Sequence, residues 1–237
     1  MFVNKEKLII KNKEVDVDII NISPLRYPGG KTRACKKLES IMNEHFNISD
    51  YDNLISPFFG GGSFEFHIQN IYKLNINAND KFTPLYNFWN ICKNNKEKLC
   101  DELSKKIDMI DKDEFTYLRG QIMEERNTLN QSIMYFIINR CSFSGATLSG
   151  GFSLEASKKR FTQSSIERIK KLDLRKFNIY NIDFEDFINI NQDTKNLIFL
   201  DPPYYLEKAS TLYGNNGDMH DTFDHNKLYK CLSTKKN

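Results

Sequence analysis

The chain has 237 residues, of which 40% are hydrophobic and 27% charged, with 34 Lys and Arg against 31 Asp and Glu. Such a composition is typical of a folded globular chain and excludes disordered and collagen-like structure. No apolar run approaches the roughly 18 residues of a membrane-spanning helix, and the first residues lack the apolar stretch of a secretion signal. We therefore expect a cytoplasmic protein without a membrane partner.

The five cysteines are an odd number and contain no C-x-x-C pair, which argues against a disulfide framework and a thiolate zinc site. We expect reduced, packed thiols. The net charge of +3 permits a polyanionic partner without requiring one. Basic residues cluster at 31–37 and 158–176, whereas acidic residues dominate 108–125, so any nucleic-acid surface must be local. Solvated helix faces explain the same clusters equally well.

Apolar and turn residues alternate along the chain in a pattern that predicts strands separated by helices. Because parallel strands need crossover connections, this alternation favours an α/β fold with a Rossmann-like parallel sheet. The predicted strands are residues 53–58, 74–78, 177–182 and 196–200. One predicted helix begins after residue 63, and another begins at residue 83 with Thr83 as its N-cap. Three more predicted helices span residues 113–127, 131–140 and 164–172.

The second and third predicted strands are separated by almost a hundred residues, far more than the ~10–12 of a simple crossover. We expect residues 83–176 to form an inserted helical subdomain. Residues 1–82 and 177–237 then form the domain that carries the sheet.

The first chemical motif is the glycine-rich segment 56–63, placed where the first strand ends and a helix begins. Glycines there, including Gly60 and Gly62 after Phe58, let a ligand approach the backbone closely. Asp80 follows Gly60 by 20 residues and comes after the second strand, the spacing of a carboxylate that accepts ribose hydroxyls. A tight turn without a ligand is the alternative; with Asp80 in register we favour nucleoside binding.

The second motif is Asp201, Pro202, Pro203 and Tyr204, directly after the predicted strand 196–200. Two prolines stiffen the loop and leave carbonyls that can only accept hydrogen bonds. If the Asp201 carboxylate and the Pro202 carbonyl each accept one N–H of an adenine amine, the nitrogen becomes nucleophilic, and the Tyr204 ring can stack on the base. The partner must be a methyl donor, and S-adenosylmethionine fits the nucleoside motif. A purely structural turn is the alternative.

The order of these motifs resembles that of the D12 class of DNA adenine N6-methyltransferases, the group related to the Dam methylase. The matching segments are 26–31 (Arg-Tyr-Pro-Gly-Gly-Lys), 56–63, the insertion 83–176 and 201–204. The resemblance implies methyl transfer from S-adenosylmethionine to N6 of a flipped adenine in a specific double-stranded DNA site. It also implies a restriction-modification origin, with a restriction endonuclease as a further partner.

By this resemblance, Tyr27 and Lys31 occupy cofactor-binding positions, Asp80 is the ribose-binding acid, and Asp201 is shared between cofactor and target base. A tight turn at 29–30 can bring Tyr27 and Lys31 to the methionine end of the cofactor. Without the resemblance, Lys31 would be an ordinary surface lysine.

Segment 139–145 resembles the family segment in which a helix ends in a loop that enters the DNA, and the Gly- and Ser-rich residues 146–152 predict a flexible hairpin. An enzyme that flips a base needs side chains to fill the vacated space and cations to hold phosphates. A solvated basic face with a core aromatic is the alternative. The candidate DNA-binding residues are Arg140, Phe143, Ser144, Lys158, Lys159 and Arg160.

Residues 213–225 are rich in Asp and His, but the proposed chemistry needs no metal, and Gly and Asn predict a loop. We expect a mobile lid beside the flipped base rather than a metal site. Asp224 is the predicted N-cap of a last helix through Leu228 and Leu232.

Three other functions remain open on sequence grounds. Enzymes that methylate cytosine N4 usually place Ser before Pro-Pro, and those that methylate protein glutamine usually place Asn there, so Asp201 favours adenine. A non-catalytic remnant that only binds DNA or cofactor is the third. It is suggested by the 33 residues that follow Tyr204, too few for the roughly three further strands of the family's sheet. On this expectation the last strands are missing, and a second chain supplies them.

Overall fold

The computed structural model describes residues 9–10, 13–14, 20–193, 195–204 and 223–234. Its strands are β1 (Ile9–Ile10), β2 (Lys13–Glu14), β3 (Asn53–Ser56), β4 (Asn75–Asn79), β5 (Phe177–Tyr180) and β6 (Asn196–Ile198). Its helices are α1 (Cys35–His45), α2 (Ser63–Tyr72), α3 (Thr83–Asn94), α4 (Lys96–Ser104), α5 (Lys112–Gln121), α6 (Thr128–Cys141), α7 (Leu154–Arg160), α8 (Gln163–Lys170), α9 (Phe184–Ile190) and α10 (His225–Ser233).

Four parallel strands form the main sheet of the described residues, in the order β5-β4-β3-β6. The predicted α/β class and the four predicted strands are confirmed, each to within a few residues at its ends. The strands that follow β3 in the sequence lie on both sides of it, with β4 and β5 on one side and β6 on the other. A crevice therefore opens between β3 and β6 at their carboxyl ends. In open α/β sheets this is where ligands bind.

Asparagine side chains join all four strands by hydrogen bonds. Asn53 donates to Asn196, Asn178 to Asn77, and Asn77 to Asn191 at the end of α9. Asn196 in turn donates to the Asn191 carbonyl. Because each amide finds a partner, these polar groups hold the strands in register without an unsatisfied donor.

Helix ends follow local capping chemistry, with two corrections to the prediction. Thr83 is the first residue of α3 rather than its N-cap, because the Asp80 carboxylate accepts the Phe82 N–H (2.9 Å) and starts the turn one residue earlier. The helix predicted to run to residue 127 ends at Gln121, since Asn127 instead caps α6. Asp224 caps α10 as predicted, by accepting the Lys227 N–H at 2.8 Å.

The hydrophobic core runs without a break from the sheet into the helices between β4 and β5. Trp89 of α3 packs against Phe59 and Phe66, while Phe88 stacks on Phe136 of α6 with ring centroids 5.6 Å apart. Helix α6 is buried almost all round, as predicted. The division of the chain into a sheet domain and an inserted subdomain stays a prediction.

The helices that the structure describes are all too short or too polar to cross a membrane.

Candidate active site

A cavity of about 370 Å³ opens at the carboxyl ends of the four parallel strands. Its wall is formed by the loops that follow β3, β4, β5 and β6, by the segment before α1 and by the start of α10. Every residue that the sequence suggested for cofactor binding or catalysis lines it: Tyr27, Lys31, Phe58, Gly60, Gly62, Asp80, Asp201, Pro202, Pro203 and Tyr204.

The segment before α1 makes a tight turn, as predicted. The Gly30 N–H donates to the Tyr27 carbonyl at 3.0 Å, and Gly29 has φ of +73°. Pro28 at the second position and a glycine with positive φ at the third are typical of a type II turn. This turn aims Tyr27 and Lys31 at the cavity.

The glycine turn after β3 lies directly under the Tyr27 side chain. Gly60 has φ of +50°, a conformation that favours glycine. A Cβ added to Gly61 would lie 2.7 Å from the Tyr27 Cβ. The Gly60 carbonyl accepts a hydrogen bond from Trp89 Nε1 at 3.0 Å. Helix α3 therefore fixes the glycine turn from below, while Tyr27 covers it from above.

Asp80 is bound to the same turn through its carboxylate. One oxygen accepts the Gly60 N–H and the other the Phe82 N–H, both at 2.9 Å. Burial raises the pKa of Asp80 to about 6, although these two amides act in the opposite direction. Each carboxylate oxygen keeps a second lone pair that can accept a ligand hydroxyl.

Lys31 and Asp201 form an ion pair across the cavity. Lys31 Nζ lies 2.6 and 2.8 Å from the two Asp201 oxygens and also donates to Tyr204 Oη at 2.6 Å. Burial acts to lower the pKa of Lys31, but the hydrogen bonds to Asp201 and Tyr204 raise it overall. Lys31 therefore stays charged at neutral pH and holds the Asp201 carboxylate in place as a hydrogen-bond acceptor.

Three aromatic rings that the sequence reasoning did not combine form another wall. Phe58, Phe184 and Phe223 have ring centroids 5.5 to 5.7 Å apart.

Asp183, next to Phe184 in the chain, forms ion pairs with Lys227 at 2.8 Å and with Lys81 at 3.1 Å. Burial acts to raise the pKa of Asp183, but these hydrogen bonds and the one from the Glu185 N–H lower it to about 2.

One sequence signal points to this wall. Asp183 and Phe184 follow β5 at the sheet edge where Asp80 follows β4, so the carboxyl ends of parallel strands bring them together.

Glu65 is a second acidic group of the cavity that sequence reasoning missed. It is 3% exposed in the first turn of α2, and one carboxylate oxygen accepts the Ser56 hydroxyl at 2.6 Å. Burial raises the pKa of Glu65 to about 7, against the opposing effect of the Ser56 hydrogen bond. Glu65 lies between Phe64 and Phe66 at the start of α2, and no sequence pattern distinguished it from an ordinary helix residue.

The raised pKa values of Glu65 and Asp80 predict that the unliganded protein loses stability as the pH rises from about 5 to 8. The unfolded chain releases the Glu65 proton near its ordinary value of 4.5, whereas the folded protein keeps it to about 7. Unfolding is therefore favoured progressively across this window, by about 2–3 kcal/mol for Glu65. Asp80 borders the open cavity and contributes less.

Denaturant titration of the protein at pH 5, 6, 7 and 8 measures this loss. Glu65→Gln should remove the Glu65 share and flatten the profile, while the exposed Glu97→Gln should keep the wild-type slope. Asp183, whose pKa is lowered, adds stability that is lost only below about pH 4 and so leaves this window unchanged. Equal slopes for the wild type and Glu65→Gln would contradict the prediction.

Asn139 connects α6 to the segment that carries Tyr27 and Lys31. It is fully buried, accepts the Arg26 N–H at 3.0 Å and donates to the Arg26 carbonyl at 2.6 Å. The side chain thus pairs with the backbone of Arg26 as a neighbouring strand would.

We expect Asn139→Ala to lower the free energy of unfolding by about 2–4 kcal/mol, because it leaves two backbone groups of Arg26 without partners. The affinity of the cavity for a ligand should fall as well, since Tyr27 of the cavity wall directly follows Arg26. Urea denaturation and ligand titration measure the two effects, and the exposed Asn94→Ala serves as the control. A loss below about 0.5 kcal/mol, the range of surface substitutions, would contradict this role.

The candidate DNA-binding residues divide into exposed and buried ones. Phe143 is 68% exposed, and Ser144 is exposed with φ of +55°. The next residue, Gly145, packs against Arg26, so this turn lies beside the segment that enters the cavity. Residues 146–152, predicted to be a flexible hairpin, contain a 3-10 turn and are closed by an antiparallel bridge between Ser142 and Phe152.

Arg140, a candidate DNA-binding residue, lies mostly inside the fold. It is 8% exposed, and its guanidinium donates to the carbonyls of Arg160 and Pro24. Burial, together with the charge of Arg168, lowers the pKa of Arg140 to about 10, so it remains charged. Its side chain supports these two backbone segments from inside. Lys158 and Lys159 are exposed on α7, where Lys159 pairs with Glu155.

The predicted lid falls mostly outside the described residues, which resume at Phe223. Within the part of the chain that the structure describes, His, Cys, Asp and Glu side chains form no group of three or more suited to a metal ion. The side chains of all five cysteines are buried.

The parallel sheet carries three motifs at one cavity: a glycine turn after β3, an acidic residue after β4 and an Asp-Pro-Pro-Tyr loop after β6. This arrangement defines a Rossmann-like methyltransferase. The family model of the D12 class N6 adenine-specific DNA methyltransferases matches residues 27–237, and the chain belongs to this family. The predicted resemblance is confirmed. The Type II methyltransferase M.CviBI of Paramecium bursaria Chlorella virus NC1A is 24% identical over 197 residues, which are 80% of this chain and 71% of that protein.

Proposed function

We propose that this protein transfers a methyl group from S-adenosylmethionine to N6 of an adenine flipped out of double-stranded DNA. The observation that carries the proposal is the meeting of Asp201 with the glycine turn and Asp80 at one cavity. A nucleoside site and an acceptor for an amine thus border the same space. Membership of the D12 family supports DNA as the substrate.

The residues present fit S-adenosylmethionine. Gly60 and Gly62 have positive φ values that side chains rarely adopt, so their backbone can border the cavity without a side chain. Asp80 can accept ribose hydroxyls, and the Phe58 and Phe184 rings offer an apolar wall for the base. Lys31 and the first N–H groups of α2 suit a carboxylate at the other end. When bound, this cofactor supplies an electrophilic methyl group.

The Asp201 loop would prepare the adenine amine for attack. The Asp201 carboxylate and the Pro202 carbonyl each accept one N–H, which draws the nitrogen lone pair out of the ring and stabilises the positive charge that develops. The ion pair with Lys31 holds the Asp201 carboxylate in place, and the half-exposed Tyr204 ring can stack on the base. Pro202 and Pro203 hold the acceptors in place, so little reorganisation is needed during the reaction.

The exposed turn at Phe143 and Ser144 would meet the DNA beside the cavity. An exposed aromatic ring suits the space that a flipped base leaves, while Lys158, Lys159 and Arg160 would hold phosphates. By analogy with the family, the proposal also assigns the protein to a restriction-modification system with an endonuclease partner. It includes an intracellular location.

Incubation of the purified protein with labelled S-adenosylmethionine and a mixed-sequence duplex library tests the proposal. Nucleoside analysis by mass spectrometry should find labelled N6-methyladenine. A matched library in which every adenine already carries a substituent on N6 should give no labelled product. N4-methylcytosine instead would identify the other amine as the target. No transfer, with DNA binding retained, would favour a non-catalytic binding protein and overturn the proposal.

A further inference from the structure

The cavity contains one buried carboxyl group that the proposed mechanism does not use. Glu65 lines the cavity from the first turn of α2 and is 3% exposed. Its hydrogen bond from Ser56 (2.6 Å) joins the start of α2 to the end of β3, the two elements that the glycine turn connects. The Ser56 hydrogen bond therefore holds the carboxyl group of this lining residue in a fixed place.

Among the described residues, Glu65 forms no salt bridge with a Lys, Arg or His side chain. The charged and titratable groups whose fields reach it are Lys31, Asp201 and the Cys35 thiol. Lys31 is already bound to Asp201, Tyr204 and the Gly29 carbonyl. A buried carboxylate without a cation is costly, and a cationic ligand would remove that cost.

The position of Glu65 on its helix defines the kind of ligand. The positive end of the α2 dipole attracts a carboxylate and repels an ammonium group. A zwitterionic amino-acid group bound there needs a separate negative partner for its nitrogen. Glu65 lies in the first turn of α2, where the dipole also stabilises its own charge.

Resting on the proposed function, we propose that Glu65 is a cofactor-binding residue that accepts a hydrogen bond from the α-ammonium group of the methionine end of S-adenosylmethionine. Lys31 and the α2 amides bind the carboxylate of the same end. The ammonium group of the cofactor then meets a negative charge of the protein, and its carboxylate meets a positive one. This pairing distinguishes the whole cofactor from a thionucleoside that lacks the amino-acid end.

A structural role is the alternative, in which Glu65 only joins α2 to β3 through Ser56. The substitution Glu65→Gln separates the two roles. Glutamine keeps the side-chain shape and an oxygen that accepts the Ser56 hydroxyl, but it has no negative charge. A structural role survives this change, whereas an ammonium site does not.

Isothermal titration calorimetry with two probes tests the proposal without methyl transfer. S-adenosylhomocysteine carries the amino-acid end, and 5′-methylthioadenosine lacks it. At pH 8, Glu65→Gln should bind S-adenosylhomocysteine at least tenfold more weakly than the wild type. Both proteins should bind 5′-methylthioadenosine equally, and the exposed Glu97→Gln should match the wild type with both probes.

The pH series adds a second readout. Because a protonated carboxyl group binds a cation poorly and burial raises the Glu65 pKa to about 7, wild-type affinity for S-adenosylhomocysteine should rise between pH 6 and 8. Glu65→Gln should lose this trend. Asp80, whose pKa is raised to about 6, would affect both probes, so the 5′-methylthioadenosine series isolates its share.

The outcomes distinguish this proposal from the proposed function. If the wild type binds S-adenosylhomocysteine and Glu65→Gln binds it with an affinity within twofold, only the role of Glu65 is overturned. Failure of the wild type to bind either probe overturns the proposed cofactor and the role of Glu65 with it. A thermal melt of Glu65→Gln at pH 8, with a midpoint no lower than that of the wild type, confirms that weaker binding does not arise from unfolding.

Discussion

Replacing Asp201 by alanine should lower the rate of methyl transfer by about 10²–10³-fold or more, because it removes the charged acceptor aimed at the adenine amine. Lys31 holds both Asp201 oxygens at 2.6 and 2.8 Å, so the carboxylate is in place before substrate binds. Removing it leaves the Pro202 carbonyl as a single neutral acceptor. The lone pair of the nitrogen then stays delocalised in the ring.

Single-turnover transfer from labelled S-adenosylmethionine measures this effect. Asp201→Asn, which keeps one acceptor oxygen but loses the charge, should fall between the wild type and Asp201→Ala. Asp101→Ala, on the exposed face of α4, should transfer at the wild-type rate. Titration with 5′-methylthioadenosine should show that the nucleoside part of the site survives. Wild-type rates for Asp201→Ala would contradict the mechanism.

Gly61→Ala should weaken cofactor binding by more than tenfold and destabilise the protein by about 1–3 kcal/mol, the usual cost of overpacking. The new Cβ would lie 2.7 Å from the Tyr27 Cβ, an atom too close to the backbone to move by a change of rotamer. The turn that carries Tyr27 and Lys31 must therefore shift as a whole, which displaces two walls of the cavity together.

Gly120→Ala is the matched control, since no atom lies within 4 Å of the position that its Cβ would occupy on α5. It should stabilise the protein by about 0.5–1 kcal/mol through helix propensity. Calorimetric titration and urea denaturation of both variants give the comparison. Equal cofactor affinity for Gly61→Ala and the wild type would show that Tyr27 and the glycine turn need not be in contact.

Much of the site was predictable because it lies where parallel strands end. Asp80 and Asp201 come directly after strands, and the pattern of those strands is local in the sequence. Once the strands pair in parallel, their carboxyl ends must meet at one edge. Helices α1, α4, α7 and α9 escaped prediction. They are only 7 to 11 residues long, and helices this short depend on packing against neighbours for their stability.

Contacts across long sequence separations could not be predicted in this way. Asn139 binds the Arg26 backbone across 113 positions, and Trp89 binds the Gly60 carbonyl across 29. No local pattern distinguishes such a polar group from a solvent-exposed one. The same reason explains Arg140, which the sequence suggested for DNA and the fold buries against two carbonyls.

The sequence by itself determined the order of the motifs, the parallel sheet and the residues that border the cavity, because these depend on local periodicity and on turn chemistry. Only the tertiary structure decided which charges meet. It paired Lys31 with Asp201 and Lys227 with Asp183, and it left Glu65 buried without a cation among the described residues. Burial and charge pairing depend on neighbours brought together by packing, and these set the pKa values on which binding depends.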